Sequence, residues 1–181
     1  MRGTRAVRIS PYAFQDAQIE SVVVENACVI GCDCFEKSSV RIASIKNAES
    51  IGNYAFRSYH NLEEVAIFGS LYKVPDFCFK NCNSLIRVDI PDGIEAIGGD
   101  AFSECTSLPS ICIPECVLEL ESYAFFGCRS MTAIGIKKTD GSVDIDEGTI
   151  MLPSGIKHIG DGAFAKCDSI RMVESRNWSG T

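Results

Sequence analysis

Apolar residues recur along this chain with a near-fixed period of 21 to 23 residues. The recurrence is clearest in phenylalanine, and the residues around each phenylalanine repeat with it, as in Ile51-Gly-Asn-Tyr-Ala-Phe56 and Ile97-Gly-Gly-Asp-Ala-Phe102. The phenylalanines of this series are Phe14, Phe35, Phe56, Phe79, Phe102, Phe125 and Phe164. A repeat of about 20 to 30 residues predicts a solenoid, in which each unit buries its apolar face against the next.

Each unit also carries an apolar triplet with a spacing of three and then two residues, such as Leu85, Val88 and Ile90. The last two members are spaced as in a β-strand, so both point inward while the residue between them points outward. The phrase around the phenylalanine is too short for a full helix and predicts one helical or tight turn, with the ring directed inward. We therefore expect a single domain over residues 1–181, with about seven repeats over 6–174.

The repeated phrase resembles the BspA-like leucine-rich repeat family. Two copies carry the resemblance best, residues 85–102 and residues 108–125. The first consists of Leu85, Val88, Ile90, Pro91, Ile94, Ile97, Gly98, Ala101 and Phe102. The resemblance implies an α/β-type repeat solenoid that is mostly β, a curved right-handed coil with short parallel strands on its concave face. It also implies a secreted or cell-surface adhesion protein that binds host or matrix proteins, without catalytic residues.

The rhythm breaks once, because the step from Phe125 to Phe164 is 39 residues instead of 23. The surplus predicts an inserted loop at 137–149, and Asp140-Gly141 within it is a strong signal for a hairpin turn. Insertions in repeat proteins often lie on the binding face. The carboxylates of this candidate loop are Asp140, Asp144, Asp146 and Glu147. Their spacing does not match the Asp-x-Asp-x-Asp-Gly loop that binds calcium, so we expect solvated side chains and no metal.

Ten cysteines make the repeats cysteine-rich. Four of them, Cys82, Cys105, Cys128 and Cys167, hold the same repeat position. Parallel side chains in register keep their Cβ atoms farther apart than the ~3.8 Å that a disulfide prefers. We therefore expect a ladder of small buried residues instead of bridges. Cys112 lies between two inward residues, so an exposed and reactive thiol is expected there.

The outward residues of the strands form the candidate protein-binding face. The main candidates are Glu64, Ala66, Arg87, Asp89, Ser110, Cys112, Ala133, Gly135, Met172 and Glu174, and Ser21, Val23, Ile42 and Ser44 extend the set toward the N-terminus. These side chains are small and mixed, which favours a protein or an extended peptide over a charged small molecule. The alternative is that they merely tolerate a flat sheet surface.

Charge and motifs exclude several classes of function. A net charge of −7 without a basic cluster argues against nucleic acid as a partner. No apolar run approaches the ~18 residues of a membrane span. No nucleophile, phosphate-loop or metalloprotease motif appears, so we expect neither an enzyme nor a bound cofactor. Asn177-Trp178-Ser179 matches a glycosylation acceptor, and Trp178 is a candidate to pack over the last repeat.

The sequence thus predicts a protein-binding or adhesion module, with an intracellular scaffold as the alternative and an enzyme as a remote third. The family resemblance implies the cell surface or secretion. The first residues carry no apolar stretch of the length of an export signal, which keeps a cytoplasmic location as the alternative. The terminal repeats show no evident cap, so we expect either a longer array or end-to-end self-association.

Overall fold

A computed structural model describes residues 7–175, with the side chains of Ala27 and Cys28 left aside. Within this range the chain forms sixteen β-strands and no helix. Eight strands make one row along the solenoid, and their outward side is called the strand face below. They are β2 (Ser21–Val24), β4 (Ile42–Ala48), β6 (Glu64–Gly69), β8 (Arg87–Asp89), β10 (Ser110–Pro114), β12 (Ala133–Lys137), β14 (Thr149–Leu152) and β16 (Met172–Ser175).

A second row of shorter strands precedes the phenylalanine turns. Its members are β1 (Val7–Ile9), β3 (Ala27–Ile30), β5 (Ser50–Ile51), β7 (Lys73–Val74), β9 (Ala96–Ile97), β11 (Glu119–Leu120) and β15 (His158–Ile159). The remaining strand, β13 (Val143–Asp144), belongs to the insertion. Since the inward residues of both rows face one another, the core fills the space between them.

Within each row, neighbouring strands pair in parallel except at two breaks, and equivalent residues lie opposite each other. Val65 pairs with Val88, and Ile111 pairs with Ile134, for example. The ladder is interrupted between β8 and β10 and between β5 and β7, so the two rows form four sheets. The predicted solenoid of short parallel strands is confirmed.

The seven phenylalanines form one continuous stack inside the solenoid. Neighbouring ring centroids lie 5.1 to 5.8 Å apart, and the ring planes deviate by at most 15°. The five inner rings are fully buried, from Phe35 to Phe125. The strand spacing of about 4.8 Å dictates this distance, because each turn repeats the position of the last. The predicted inward direction of the rings is confirmed.

The turns around the phenylalanines are built differently from a helical turn. The residue two before and the residue two after every phenylalanine of the stack have a positive φ, for example Asp100 at 54° and Glu104 at 59° around Phe102. Most of these fourteen positions carry side chains other than glycine. A left-handed conformation costs such residues roughly 1–2 kcal/mol each. The stacking of the rings and strands therefore holds these turns in place.

The four cysteines at the shared repeat position donate hydrogen bonds to backbone oxygens. The Sγ atoms of Cys82, Cys105 and Cys128 lie 2.9 to 3.1 Å from the carbonyl oxygens of Phe56, Phe79 and Phe102. Cys167 makes the same contact with Phe125 at 3.0 Å. The nine cysteines whose side chains are described form no disulfide. Each thiol thus satisfies a buried carbonyl of the preceding turn, a role that packing arguments alone do not assign to cysteine.

Candidate protein-binding face

The strand face presents the predicted outward residues in rows that follow the strand pairing. Glu64 pairs with Arg87, and Ala66 pairs with Asp89, so these four residues form one continuous patch. Ile42 and Ser44 lie next to Glu64 and Ala66 in the preceding turn. The structure therefore brings the N-terminal members of the predicted face together.

This N-terminal part of the strand face is open. Val23 is 62% exposed and Ile42 is 44% exposed, although both are apolar. Arg87 and Asp89 are exposed as well and pair with each other at 3.0 Å. Apolar side chains in contact with water, flanked by charged groups, are typical of a surface that a partner covers.

The strand face is covered at β12, which corrects the expected exposure of Ala133 and Gly135, whereas Met172 on β16 is 57% exposed. Ala133 is only 2% exposed, and Gly135 is buried. A Cβ added at Gly135 would come within 2.8 Å of both the Asp144 carbonyl oxygen and the Ile145 Cβ. The inserted segment therefore lies directly on this strand, and glycine is the residue that leaves room for it.

The covering segment follows β12 and begins with β13, which forms an antiparallel hairpin with the end of β12. Ile136 pairs with Asp144, and Lys137 pairs with Val143. Gly141 has a φ of 82°, as the predicted turn requires. Lys138 forms an ion pair of 2.8 Å with Asp144 across the hairpin. The segment after β13 then returns the chain to β14 beside β12.

The four carboxylates of the insertion have separate surroundings. Asp140 accepts hydrogen bonds from the Ser142 backbone N–H at 2.9 Å and hydroxyl at 2.6 Å, and these bonds hold the pKa of Asp140 below its usual value. Asp144 pairs with Lys138, and Asp146 accepts a bond from the Thr149 hydroxyl at 3.3 Å. Glu147 is exposed. Among the described residues, no group of three or more cysteine, histidine or acidic side chains is placed to hold a metal ion.

Two further residues lie on the strand face but were not identified from the sequence. Thr149 and Met151 flank Ile150, which pairs with Ile134, and both are buried, at 3% and 4% exposure. The Thr149 hydroxyl also donates a hydrogen bond to Asp146 of the insertion at 3.3 Å. They separate the row of Ala133 and Gly135 from Met172 and Glu174, which lie one turn further on. The alternation of Thr149-Ile150-Met151-Leu152 is the signal that identifies them.

Cys112 occupies the strand face but does not carry the reactive thiol that the sequence suggests. Its side chain is only partly exposed. Burial, followed by the nearby carboxylate of Asp89, raises the pKa of Cys112, and the smaller effect of Lys137 opposes this shift. Because the thiolate is the nucleophile, a raised pKa makes this thiol less reactive at neutral pH.

A groove of about 370 Å³ lies where the open part of the strand face meets the hairpin. We call it the Phe68 groove, and its lining includes Phe68, Asp89, Pro91, Cys112, Lys137 and Val143. Phe68 is 51% exposed and Val143 is 45% exposed, so two apolar side chains border it. Lys137 pairs with Asp92 at 2.8 Å at its rim. Phe68 follows Ile67, the second inward residue of β6, at a position where other repeats have proline, lysine or glutamate, and this aromatic residue is the sequence signal for the groove.

A separate ionic cluster connects three turns on the row of short strands. The Lys73 ammonium lies 2.8 Å from Asp76 and 2.6 Å from Glu121, two turns away. The backbone N–H of Gly99, in the turn between, donates to both carboxylates. Partial burial lowers the pKa of Lys73, but the hydrogen bonds and charges of the Asp76 and Glu121 carboxylates outweigh this effect, so the pKa is raised overall. Each charged group has its partner, so this cluster stabilises the stacking of the turns.

Residues 7–175 contain no helix with the length and apolar composition of a membrane span. The predicted glycosylation triplet and Trp178 lie outside the described residues.

Comparison with known proteins agrees with this architecture. The family model for BspA-type leucine-rich repeat regions matches residues 7–132 and 141–178, in six copies. The gap between the two matched ranges falls in the hairpin. No curated protein matches the chain.

Two solved structures resemble the chain over most of its length. A leucine-rich repeat protein from Bacteroides ovatus is 26% identical with a TM-score of 0.74, over 92% of this chain and 39% of that one. The leucine-rich repeat protein of T. pallidum is 23% identical with a TM-score of 0.60, over 92% of this chain and 62% of that one. The chain therefore spans less than two thirds of the length of either protein. Such repeat scaffolds typically present binding surfaces and have no enzymatic role.

Proposed function

The chain belongs to the BspA-type leucine-rich repeat family, and on that premise we propose that it is a protein-binding module. The proposed ligand lies along the open strand face, from β2 to β8, and reaches the Phe68 groove. The hairpin limits the site on its C-terminal side. Proteins built from these repeats generally bind other proteins, and this supports the general class of partner.

The observation that carries the proposal is the contrast between two parts of the strand face, the open half from β2 to β8 and the covered half, which consists of β12 and β14. Val23, Ile42 and Phe68 are 44% to 62% exposed in the open half, whereas Ala133 and Met151 are 2% and 4% exposed in the covered half. The covered half already has its cover within the same chain. The open half has apolar side chains that no other described residue covers.

The chemistry of the open half favours an extended protein segment. Phe68 and Val143 would contact one apolar side chain of the ligand. The ion pairs Arg87–Asp89 and Lys137–Asp92 leave the rim with balanced charge. A strongly charged small molecule would find no concentration of opposite charge there, whereas a peptide with one apolar anchor and polar neighbours would satisfy both parts.

A selection from a random peptide library displayed on phage tests this proposal. Peptides enriched on the wild-type chain should bind the Ala66→Arg variant at least about tenfold more weakly, because the arginine projects into the centre of the open half. The matched control is Ala165→Arg, which introduces the same side chain at an exposed position on a phenylalanine turn. Peptides that bind Ala66→Arg as well as they bind wild type would contradict the proposal.

We further propose that the protein acts in adhesion at the cell surface, which rests on the family alone. Direct binding of the purified chain to a panel of purified extracellular-matrix proteins tests this. The expected result is saturable binding to at least one of them that Ala66→Arg weakens and Ala165→Arg leaves unchanged. Peptide binding at the strand face without binding to any matrix protein would contradict adhesion while leaving the binding module intact.

An intracellular scaffold is the second candidate function, and the cysteines favour it. The nine described cysteines are all unbridged, which is the state expected in a reducing compartment. Trapping of thiols in intact cells with a membrane-impermeant maleimide separates the two locations. Labelling of exposed Cys116 from outside the cell supports the surface, and labelling only after lysis supports the scaffold.

A further inference from the structure

We propose that the surface of three consecutive phenylalanine turns, those of Phe35, Phe56 and Phe79, binds an uncharged oligosaccharide. A groove of about 680 Å³ lies on these turns. We call it the turn groove, and its lining includes Asp33, Tyr54, Arg57, His60, Phe77 and Lys80. It contains no residue of the strand face or of the Phe68 groove, so this site is separate from the proposed site for a protein ligand.

The lining of the turn groove differs in kind from that of the Phe68 groove. Its apolar members are the aromatic side chains of Tyr54 and Phe77, and every other lining residue carries a charged or hydrogen-bonding side chain. No aliphatic side chain lines it within the described part of the chain. A sugar ring has hydroxyl groups around its edge and apolar C–H groups on its faces. This combination matches a lining that is partly aromatic and otherwise polar, whereas the apolar anchor of a protein ligand would find no aliphatic pocket there.

Two stacked rings form the rigid centre of the turn groove. The rings of Tyr54 and Phe77 are 4.8 Å apart between their centroids and deviate by 8° from parallel. The Arg57 guanidinium lies 4.7 Å from the centroid of the Tyr54 ring, and the Lys80 ammonium lies 5.3 Å from that of Phe77. These cation–π contacts hold both cations in place beside the rings. A ligand therefore meets side chains that are already ordered, which lowers the entropic cost of binding.

Each cation of the turn groove has a carboxylate beside it. The pairs are Arg57–Asp33 at 3.6 Å, Lys80–Asp100 at 2.8 Å and Lys37–Glu36 at 3.7 Å. A phosphate or another anionic ligand would be repelled by these carboxylates as well as attracted by the cations. An uncharged polyhydroxylated ligand needs donors and acceptors side by side, and cationic N–H groups next to carboxylate oxygens provide both.

Polar groups without a partner add to these donors and acceptors. Among the described residues, none forms a hydrogen bond with the Tyr54 hydroxyl or with the His60 imidazole. The Ser58 hydroxyl has only a long contact of 3.5 Å with the Asn81 amide. His60 and Ser58 are exposed, and Tyr54 is half-buried. These groups can therefore donate to and accept from the hydroxyls of a ligand without breaking a bond within the protein.

The repeat of the solenoid suits a linear chain of sugars. The rings of Phe35, Phe56 and Phe79 beneath the turn groove follow one another at 5.4 and 5.1 Å. An extended oligosaccharide advances by a similar distance with each sugar ring. Successive sugars would therefore contact side chains of successive turns, which favours an oligosaccharide over a single sugar.

The chain offers a matched control for the aromatic part of this site. Tyr123 holds the same repeat position as Tyr54, two residues before a phenylalanine of the stack. It packs edge-on against Phe126 of its own turn at 5.7 Å and lies outside the turn groove. The same substitution at the two tyrosines therefore separates a contact with the ligand from a general effect on the turns.

Binding of the purified chain to an array of immobilised oligosaccharides tests the proposal. The array carries uncharged hexasaccharides of glucose, mannose, galactose and xylose, together with oligogalacturonate and sulfated oligosaccharides. We expect binding to at least one uncharged hexasaccharide, and isothermal titration calorimetry then gives its dissociation constant. Binding to the acidic oligosaccharides alone, or to none of the array, would overturn the proposal.

Two substitutions that leave the stacked rings in place then identify the site. Tyr54→Phe removes only the hydroxyl, and His60→Ala removes the imidazole. Each should raise the dissociation constant of the hexasaccharide at least about fivefold, because each deletes one hydrogen bond to the ligand. The double variant should bind more weakly than either single variant, and Tyr123→Phe should bind as the wild type does.

A double variant with wild-type affinity, or a Tyr123→Phe variant that binds as weakly as the double variant, would overturn the proposal. Ala66→Arg, on the strand face, should leave oligosaccharide binding unchanged. Failure of the turn groove and failure of the protein-ligand site therefore give different results.

Discussion

The Cβ atom of Ile145 lies so close to Gly135 that a Cβ added to this glycine would be only 2.8 Å away from it. The inserted hairpin is therefore seated on the strand face at the one strand that offers it a glycine at this outward position. This contact divides the face into a covered half and an open half. The proposed ligand site depends on that division.

Replacing Gly135 by valine should lift the hairpin. The added side chain has no room beneath the Asp144 carbonyl and Ile145, and overpacking of this kind costs about 1–3 kcal/mol. The backbone amides of the β12–β13 hairpin should then exchange their hydrogens faster than in the wild type, as measured by hydrogen–deuterium exchange with mass spectrometry. The control is Gly99→Ala, where a Cβ meets no atom closer than 3.6 Å. Unchanged exchange in the hairpin of Gly135→Val would contradict the contact.

Replacing Phe102 by alanine should lower the free energy of unfolding by about 3–5 kcal/mol. The ring is fully buried and stacks on Phe79 and Phe125 at 5.1 and 5.3 Å. Phe68→Ala removes the same atoms at a half-exposed position and should cost less than about 1 kcal/mol. Urea denaturation of the two variants measures the difference. Equal losses of stability would mean that the stack is not what holds the turns together.

The buried thiols should make stability fall steeply at alkaline pH. Burial raises the pKa of Cys82 to about 12 and that of Cys105 well above its usual value. An unfolded thiol loses its proton above a pH of about 8.5, whereas the folded thiol keeps it. The unfolded state then binds fewer protons, so stability is complete below that pH and declines as pH rises toward the folded pKa.

Each fully buried thiol is expected to cost about 2 kcal/mol of stability at pH 10 relative to neutral pH. Urea unfolding at pH 7.5 and pH 10, with a reductant present, measures this loss. The Cys82→Ala variant should lose less stability than the wild type on the change of pH, whereas Cys116→Ala, at an exposed position, should lose the same amount. A Cys82→Ala variant with the wild-type pH dependence would refute this source of alkaline sensitivity.

At the turn positions with a positive φ, the stability of a variant should depend on how well the new residue tolerates a left-handed backbone. Lys37 has a φ of 54°, and its side chain is 68% exposed. Lys37→Asn should be more stable than Lys37→Val by roughly 1–2 kcal/mol, because asparagine tolerates the left-handed region and a β-branched side chain does not. Thermal melting of both variants checks this. Identical melting temperatures would indicate that the turn relaxes out of the left-handed conformation.

The sequence allowed the fold to be predicted because its repeated residues are core residues. The position of Phe102 and its counterparts dictates the stack, and the alternation around Val88 and Ile90 dictates the strands. The left-handed turns were not foreseen, because residues as different as Tyr54, Lys37 and Asn81 occupy most of them in place of glycine. Those conformations follow from the stacking of whole turns, which no local preference reveals.

The candidate site was predicted only in part, for a similar reason. The outward residues followed from strand alternation, and the turn at Asp140-Gly141 indicated a hairpin. Which way the hairpin folds depends on contacts between Gly135 and Ile145, residues ten positions apart whose packing the pattern does not encode. Ala133 and Gly135 were therefore expected to be exposed, and Phe68 was not recognised as part of the groove.

Site-specific photo-crosslinking tests the central claim, a protein ligand on the open half of the strand face, most directly. A benzophenone amino acid replaces Phe68 in one variant and Tyr123, which is 45% exposed on a phenylalanine turn, in another. With a peptide selected on the wild-type chain, we expect strong crosslinking from position 68 and only background from position 123. Equal crosslinking from both positions, or crosslinking from position 123 alone, would contradict it.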